Sequence, residues 1–253
     1  MNNRNTTLLI DNSNSRTKFR LLRDGIVGNE VRVVPTGQIA KELLQTVLSG
    51  WSFSSVCISS VVPATAVVLR HAFSCPVKFV TIGENLPVDF SHYEGKATLG
   101  ADRIANVIGT LFWNRFPAVA IDLGTAVTFD VIVSDHCGKP RYMGGMITPG
   151  LSVFKEYLAS RTALLPRLED TCTSNTAYVG KNTEQAIRAG MESGGRGMLR
   201  GILTDIETVI GARPFVIATG GDADWAARCL PEINQLDPLL TFRGLARFVK
   251  TES

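Results

Sequence analysis

The stretch VAIDLGTAVTFDVIV, residues Val119–Val133, has the order of a strand, a tight turn and a second strand. An apolar run ends on Asp122, Gly124 and Thr125 follow, and strand-like residues resume at Val127. Glycine lets the backbone turn sharply, and the turn's N–H groups with the Thr125 hydroxyl can bind a phosphate. We therefore expect a phosphate-binding hairpin, with Asp122 at the strand end to hold a cation.

A second copy of this pattern lies near the N-terminus, in LLIDNSNSRTKFRLL, residues Leu8–Leu22. When Ile10-Asp11 is aligned with Ile121-Asp122, small polar residues again follow the aspartate, and a second strand follows them. An internal repeat this far apart predicts two similar domains facing each other across a cleft. Two ordinary hairpins with aspartate at the turn are the alternative interpretation.

The composition is that of a globular protein. The 253 residues are 45% hydrophobic and 19% charged, enough for one large domain or two of about 120 residues each. A net charge of +3, without a dense basic run, argues against nucleic acid as the main partner. Five scattered cysteines without a C-x-x-C pair favour buried free thiols and a reducing cytoplasm. We expect neither a signal peptide nor a membrane span, since no apolar run is long enough.

Strand and helix patterns alternate along the chain, which predicts an α/β fold. We place the domain boundary after Pro117, giving domains of residues 1–117 and 118–253. Strands are predicted near Thr6–Asp11, Thr17–Leu22, Ile26–Val34, Val56–Val62, Val77–Ile82, Tyr142–Ile147 and Phe215–Ala218, and helices at residues 38–49, at Ala64–Phe73, after Gly100 as far as Pro117, from Thr183 or Glu184, from Ala223 and within Leu239–Phe248.

Gly100-Ala101-Asp102-Arg103 directly precedes an amphipathic helix. Asp102 could simply cap that helix, but a helix N-terminus also attracts an anionic substrate. Phosphoryl transfer needs phosphates held in place and a base for the acceptor hydroxyl. We expect Asn12–Lys18 and Thr125 to hold phosphates, Asp11 to orient Mg²⁺ through water, and Asp102 to act as the base.

The motifs, in their order and spacing, resemble the type III pantothenate kinases over nearly the whole chain. The residues that carry the resemblance are Asp11-Asn12-Ser13-Asn14-Ser15-x-x-Lys18, Gly100-Ala101-Asp102-Arg103, Asp122-x-Gly124-Thr125-Ala126-x-Thr128-x-Asp130, Gly144-Gly145-x-Ile147-x-Pro149-Gly150, Thr219-Gly220-Gly221 and Leu240-Thr241-x-x-Gly244-Leu245.

This resemblance implies two ribonuclease H-like domains of the actin-like ATPase fold, and ATP-dependent phosphorylation of pantothenate in coenzyme A biosynthesis. It implies that Asp102 accepts the proton, that Asp122 binds potassium or ammonium, and that the protein is a homodimer using ATP with Mg²⁺. It further assigns ATP to Asp11, Asn12, Ser13, Asn14, Ser15, Arg16, Thr17, Lys18 and Thr125, and pantothenate to Tyr93, Gly100, Ala101, Asp102, Arg103 and Thr183.

The first loop departs from the common family pattern, Asp-x-Gly-Asn-Thr, because Ser13 replaces the glycine and Ser15 the threonine. Serine disfavours positive φ, so we expect an ordinary turn at Ser13. Two alternatives to the pantothenate kinase remain. One is another small-molecule kinase of the same superfamily, and the other is a non-enzymatic ATP-binding regulator.

Overall fold

The computed structural model describes residues 6–168 and 179–251. The predicted polar loop at residues 171–183 therefore lies mostly outside the described residues. The strands are β1 (Thr6–Asn12), β2 (Arg16–Arg23), β3 (Ile26–Val27), β4 (Arg32–Pro35), β5 (Ser55–Ser60), β6 (Val77–Phe79), β7 (Ala118–Leu123), β8 (Ala126–Ser134), β9 (Pro140–Pro149), β10 (Phe215–Thr219) and β11 (Gln235–Leu236). The helices are α1 (Lys41–Val47), α2 (Pro63–His71), α3 (Ala101–Gly109), α4 (Leu151–Arg161), α5 (Thr183–Ile210), α6 (Ala223–Cys229) and α7 (Leu240–Thr251).

The chain divides into two compact units. Unit 1 comprises the described residues of Met1–Asn114, Asp135–Tyr142 and Leu239–Ser253. Unit 2 comprises those of Arg115–Ser134 and Met143–Pro238. The chain thus first passes from unit 1 to unit 2 after Asn114, close to the proposed boundary at Pro117, and two later segments belong to unit 1.

Unit 1 contains a sheet in which β1 is the central strand. Its strand order is β3-β2-β1-β5-β6, and β4 also pairs with β2. Strand β1 is antiparallel to β2 and parallel to β5, and β5 is parallel to β6. Alternate residues of β1, including Leu8 and Ile10, enter a core with residues Ile39, Leu44 and Leu69 of the α1 and α2 region. Helix α7 packs on β1 and β5.

Unit 2 repeats this topology. Its sheet has the order β11-β10-β7-β8-β9, with β7 antiparallel to β8 and parallel to β10, and β10 parallel to β11. Helix α6 joins β10 to β11 as α2 joins β5 to β6. Helices α5 and α6 cover one face of the sheet, where Leu199 and Trp225 join the core. The predicted repeat is therefore a repeat of a whole sheet pattern, and each copy begins with an aspartate-bearing hairpin.

Most predicted elements are confirmed, although several differ in extent. The predicted strand Ile26–Val34 is broken into β3 and β4, which pair with opposite ends of β2. The hairpin signal before it is confirmed, since Asp24 and Gly25 have φ of 50° and 80°. Helix α3 ends at Gly109 and continues as a single 3₁₀ turn to Phe112, so Pro117 does not end it. The helix predicted at residues 38–49 begins only at Lys41.

Four of the five cysteines lie in described residues, and all four are free thiols. Cys57 is buried, and burial raises the pKa of its thiol to about 12. Cys137 is exposed, so the expectation that every cysteine is buried is wrong at this position. Cys172 lies outside the described residues. In the part of the chain that the structure describes, every helix is too short or too polar to cross a bilayer.

Helices α3 and α7 approach each other closely because two glycines remove side chains from the contact. A Cβ atom on Gly244 of α7 would overlap the carbonyl group of Ala105 in α3. A Cβ atom on Gly109 of α3 would overlap the carbonyl oxygen of Leu240 in α7. The buried Thr241 hydroxyl also donates to Asn106 Oδ1 at 2.8 Å. These contacts fix α3 in unit 1, and α3 begins with Ala101 and Asp102.

The substitution Gly244→Ala is expected to lower the free energy of unfolding by about 1–3 kcal/mol, because the added methyl group overpacks two backbones. Urea unfolding followed by circular dichroism measures this change. Gly37→Ala is the matched control, since Gly37 is exposed in unit 1 and a Cβ atom there meets nothing within 4 Å. Equal stability of the wild type and Gly244→Ala would contradict the packing described.

Candidate active site

The first candidate phosphate loop connects β1 to β2. The last paired residues are Asn12 and Thr17, and the Ser13 N–H donates to the Arg16 carbonyl oxygen at 3.2 Å. Between them, Asn14, Ser15 and Arg16 are exposed. Among the described non-glycine residues, positive φ occurs only at two positions outside this loop. Ser13 therefore adopts an ordinary turn conformation, as predicted.

Asp11 lies in β1 immediately before this loop and is only 6% exposed. The Ser13 hydroxyl donates to Asp11 Oδ1 at 2.9 Å. Lys18, its partner in the β1–β2 register, places Nζ 3.9 Å from Asp11 Oδ2. The serine that replaces the family glycine thus helps to orient the carboxylate. An oriented carboxylate beside an exposed backbone turn fits a hydrated Mg²⁺ ion, which binds through few carboxylates and keeps several waters.

The side chains of Asn12 and Thr17 point away from the exposed face of the loop. Asn12 is 1% exposed and Thr17 is fully buried, and Asn12 Nδ2 donates to Thr17 Oγ1 at 2.7 Å. Any contact of these two residues with a nucleotide is therefore limited to their backbone atoms. This narrows the ATP-binding role predicted for them.

The second group of predicted residues is at the start of α3. Gly100 occupies the N-cap position and Asp102 is the second helical residue, so Asp102 does not cap the helix. Its Oδ1 atom accepts a hydrogen bond from the Arg103 N–H at 2.7 Å. A Cβ atom on Gly100 would lie 2.5 Å from that oxygen, so glycine leaves room for the carboxylate. Asp102 is partly exposed.

Arg103 is fixed by an aromatic cluster within unit 1. Arg103 is only 8% exposed, and its Nη2 atom donates a hydrogen bond to the Tyr142 hydroxyl at 2.9 Å. The Tyr142 ring lies 5.3 Å from Phe90 and 5.1 Å from Tyr93, measured between ring centroids. The loop that carries these rings is joined to β9, because the Tyr142 N–H donates to the Asp89 carbonyl oxygen at 2.9 Å. The structure therefore places the predicted residues Tyr93 and Arg103 in one cluster.

The second candidate phosphate loop connects β7 to β8 in unit 2. Leu123 and Val127 are its last paired residues, so this loop is one residue shorter than the first. Thr125 is exposed, and its carbonyl oxygen accepts a hydrogen bond from the Gly150 N–H at 2.8 Å. A Cβ atom on Gly150 would overlap the carbonyl oxygen of Gly124. The absence of a side chain at Gly150 thus allows its N–H group to hold the turn by a hydrogen bond, and Thr125 remains exposed.

Asp122 stands beside the turn between β10 and α6. Gly220 has φ of +98°, and a Cβ atom on it would lie 2.6 Å from Asp122 Oδ1. The Leu123 carbonyl oxygen accepts from the Asp222 N–H at 3.1 Å. Carboxylate and carbonyl oxygens are suitable ligands for a hard cation. Within the described ranges, no three His, Cys, Asp or Glu side chains converge on one metal position.

Thr183 begins α5 in unit 2. Asn182 caps the helix by accepting from the Gln185 N–H at 2.9 Å. Thr183 lies at a mainly apolar cavity of about 380 Å³ that Phe154, Leu158 and Met191 also line.

Comparison with known proteins decides the family. The type III pantothenate kinase family matches residues 7–205. A type III pantothenate kinase from Akkermansia muciniphila is 40% identical over 95% of this chain and 96% of its own length. The chain belongs to the type III pantothenate kinase family.

Solved structures agree on the fold. A Campylobacter jejuni protein described as a Baf family transcriptional activator has a TM-score of 0.63 at 20% identity, covering 97% of this chain and 98% of its own. Component A of the Acidaminococcus fermentans (R)-2-hydroxyglutaryl-CoA dehydratase has a TM-score of 0.55 at 15% identity, covering 98% of this chain and all of its own. The predicted fold class, two ribonuclease H-like domains of the actin-like ATPase type, is confirmed.

Two residues that contact the predicted site residues have no role in the sequence-based predictions. Tyr142 was assigned only to a strand, although it holds Arg103 from 39 positions away. Thr36 received no role, although its hydroxyl donates to the Ser13 carbonyl oxygen at 2.6 Å. Neither residue belongs to a local motif. Their only sequence signal is a polar side chain in or next to a β-branched or aromatic strand.

The substitution Tyr142→Phe removes the hydroxyl that accepts a hydrogen bond from Arg103 Nη2, and is expected to cost about 1.5–3 kcal/mol of stability, as for other hydrogen bonds to charged groups. The midpoint of urea unfolding measures this loss. Tyr93→Phe is the matched control in the same cluster, where the ring is kept and a partly exposed hydroxyl is removed. Unfolding of Tyr142→Phe at the wild-type midpoint would contradict a stabilising role for the hydrogen bond between Arg103 and Tyr142.

Proposed function

We propose that this chain transfers the γ-phosphoryl group of ATP to the primary hydroxyl of pantothenate, the first step of coenzyme A biosynthesis. The observation that carries the proposal is the Gly100–Arg103 sequence at the start of α3, with a partly exposed Asp102 carboxylate and a buried Arg103. This arrangement occurs in a chain that belongs to the type III pantothenate kinase family.

Asp102 is the proton acceptor in this proposal. The acceptor hydroxyl of pantothenate is a weak nucleophile until its proton is removed, and a carboxylate within hydrogen-bond distance can accept that proton during transfer. The hydrogen bond from the Arg103 N–H to Oδ1 orients the Asp102 carboxylate.

Pantothenate is assigned to Gly100–Arg103 together with Tyr93 and Thr183. Pantothenate carries a carboxylate, and an arginine guanidinium recognises carboxylates in a fixed planar geometry. The bond to Tyr142 orients the guanidinium in advance, which reduces the entropy lost on binding.

The phosphates of ATP are assigned to the exposed turn at Ser13–Arg16, to Lys18, and to Thr125 in unit 2. Backbone N–H groups of a turn and a lysine ammonium are common phosphate ligands. Asp11 is the residue that would hold the magnesium ion through water. When bound, magnesium neutralises charge on the phosphates.

Asp122 is assigned to a monovalent cation, potassium or ammonium. Support comes from its Oδ1 atom beside Gly220 and from the nearby carbonyl oxygens of the β7–β8 turn. Replacing potassium by sodium in the activity assay tests the requirement, and Asp122→Asn is expected to remove the difference between the two salts.

We also propose a homodimer formed through unit 2. Several large apolar side chains of this unit are exposed, and contiguous exposed apolar surface marks interaction sites. They are Met143 and Ile147 of β9, at 46% and 61% exposure, and Phe154 and Tyr157 of α4, at 40% and 61%. Sedimentation velocity measures the oligomeric state.

The proposed location is the cytoplasm, where ATP is available and free thiols persist.

The substitution Asp102→Asn is expected to lower kcat for pantothenate at least about a hundredfold, since general-base catalysis contributes about 10²–10⁴. Titration calorimetry with MgATP should give a Kd close to that of the wild type, because Asp102 is not assigned to the nucleotide. Asp135→Asn is the matched control. Asp135 is in unit 1 and only caps an exposed turn, by accepting from the N–H groups of Cys137 and Lys139. Full activity of Asp102→Asn would refute the assignment.

A further inference from the structure

A continuous chain of hydrogen bonds, most of them buried, ends at the first phosphate loop. It begins at the junction of β5 and α2, where the Ser60 and Thr65 hydroxyls both lie within donor distance of Asn12 Oδ1, at 2.6 and 2.7 Å. It continues from Asn12 Nδ2 to Thr17 Oγ1 at 2.7 Å and between Thr17 and Thr36 at 3.0 Å. It ends where Thr36 Oγ1 meets the Ser13 carbonyl oxygen at 2.6 Å.

The direction of each proton in this chain follows from its last member. A carbonyl oxygen can only accept a hydrogen bond. Thr36 therefore donates its single hydroxyl hydrogen to the Ser13 carbonyl oxygen. Thr17 must then donate to Thr36, and it can accept only from an N–H or O–H group. Asn12 therefore presents its NH₂ group to Thr17, and its carbonyl oxygen is left facing the hydroxyls of Ser60 and Thr65. Every donor and acceptor in the chain is consistent with this single arrangement.

Thr36 holds the loop at two points. Besides its hydroxyl bond to the Ser13 carbonyl oxygen, its backbone N–H donates to the Ser15 carbonyl oxygen at 3.1 Å. In a planar trans peptide, the C=O and N–H groups point in opposite directions. Because the carbonyl groups of Ser13 and Ser15 point toward Thr36, the N–H groups of Asn14 and Arg16 point away from it. Those residues are the exposed part of the loop.

The side chains that form these hydrogen bonds exclude water from the buried side of the loop. Asn12, Thr17 and Thr36 are 1%, 0% and 2% exposed. Hydrogen bonds are stronger in such an environment, and buried networks that are fully satisfied rigidify their surroundings. The usual family loop has glycine where this chain has Ser13, so this chain must fix a less permissive backbone.

We propose that Thr36 is a positioning residue for ATP binding: through its paired bonds to the Ser13 and Ser15 carbonyl groups, supported by Thr17 and Asn12, it directs the Asn14 and Arg16 N–H groups toward the phosphates. The proposal rests on the assignment of this loop to ATP. It adds a residue outside the loop that sets nucleotide affinity. Thr36 acts through the loop backbone and does not touch the nucleotide.

The test is the binding of MgATP to Thr36→Val, Thr36→Ser and wild type, measured by titration calorimetry, with kcat and both KM values measured in parallel. Thr36→Val keeps the shape of the side chain but loses the hydroxyl. We expect it to raise the Kd and the KM for ATP about tenfold, the effect of losing one hydrogen bond. Its KM for pantothenate should change less than about twofold. Thr36→Ser restores the hydroxyl and should restore the wild-type Kd.

Thr7→Val is the matched control, because Thr7 is a buried threonine of β1, the strand that precedes the loop. Its Oγ1 atom forms a hydrogen bond with Ser55 Oγ at 2.9 Å, at the end of β1 remote from the loop. Its Kd for ATP should equal that of the wild type. A Thr36→Val Kd within twofold of the wild type, or an equal rise in Thr7→Val, overturns the proposal. If Thr36→Val fails to fold, Thr36→Ala is measured against the same criteria. A wild type that binds ATP but does not phosphorylate pantothenate refutes the proposed function and leaves this binding test intact.

Discussion

The antiparallel pairing of an aspartate-bearing strand with the strand that follows it is the constraint on which both units depend. In unit 1, β1 pairs with β2 on one side and with β5 on the other. In unit 2, β7 stands in the same relation to β8 and β10. Because each of these strands is central in its sheet, its end is fixed by ladders on both sides. The aspartate is therefore held by paired strands on both sides, directly before the turn.

The start of α3 is fixed by different means. Two glycines let α3 and α7 approach until their backbones meet, and the hydrogen bond from Arg103 joins the first turn of α3 to Tyr142, which also belongs to unit 1. Close helix packing at two glycines and the hydrogen bond of a buried arginine thus hold this helix start, where the two aspartate-bearing turns are held by strand pairing. The helix start can then present a partly exposed carboxylate at Asp102 without the freedom of a loop residue.

Local patterns made much of this structure predictable. Alternating apolar residues, an Asp-Gly turn and repeated aspartates identified the strands, the hairpins and the repeat, because these features depend on neighbours in sequence. The order of motifs identified the family, and the role of Asp102 stays a prediction. The position of Asp102 as the second helical residue was not fixed by spacing, since a glycine and an aspartate are both acceptable N-caps.

The remaining features depend on residues distant in sequence. Asn12 and Thr17 belong to a loop motif, yet strand alternation turns their side chains inward to meet Thr36 and Thr65. Tyr142 contacts Arg103 through its hydroxyl and the Asp89 backbone through its N–H group, and both residues are distant from it in sequence. Hydrogen-bond networks of this kind leave scattered polar residues in the sequence, and the pattern of a single segment does not connect them.

The most direct test of the account is an assay of purified protein with MgATP and potassium against a panel of acceptors: pantothenate, glucose and acetate. Mass spectrometry identifies the product, and ADP release gives the stoichiometry. The account predicts one ADP for each pantothenate phosphorylated on its primary hydroxyl, with no turnover of the other acceptors. Phosphorylation of glucose or acetate without pantothenate, or ATP binding without turnover of any acceptor, would contradict it.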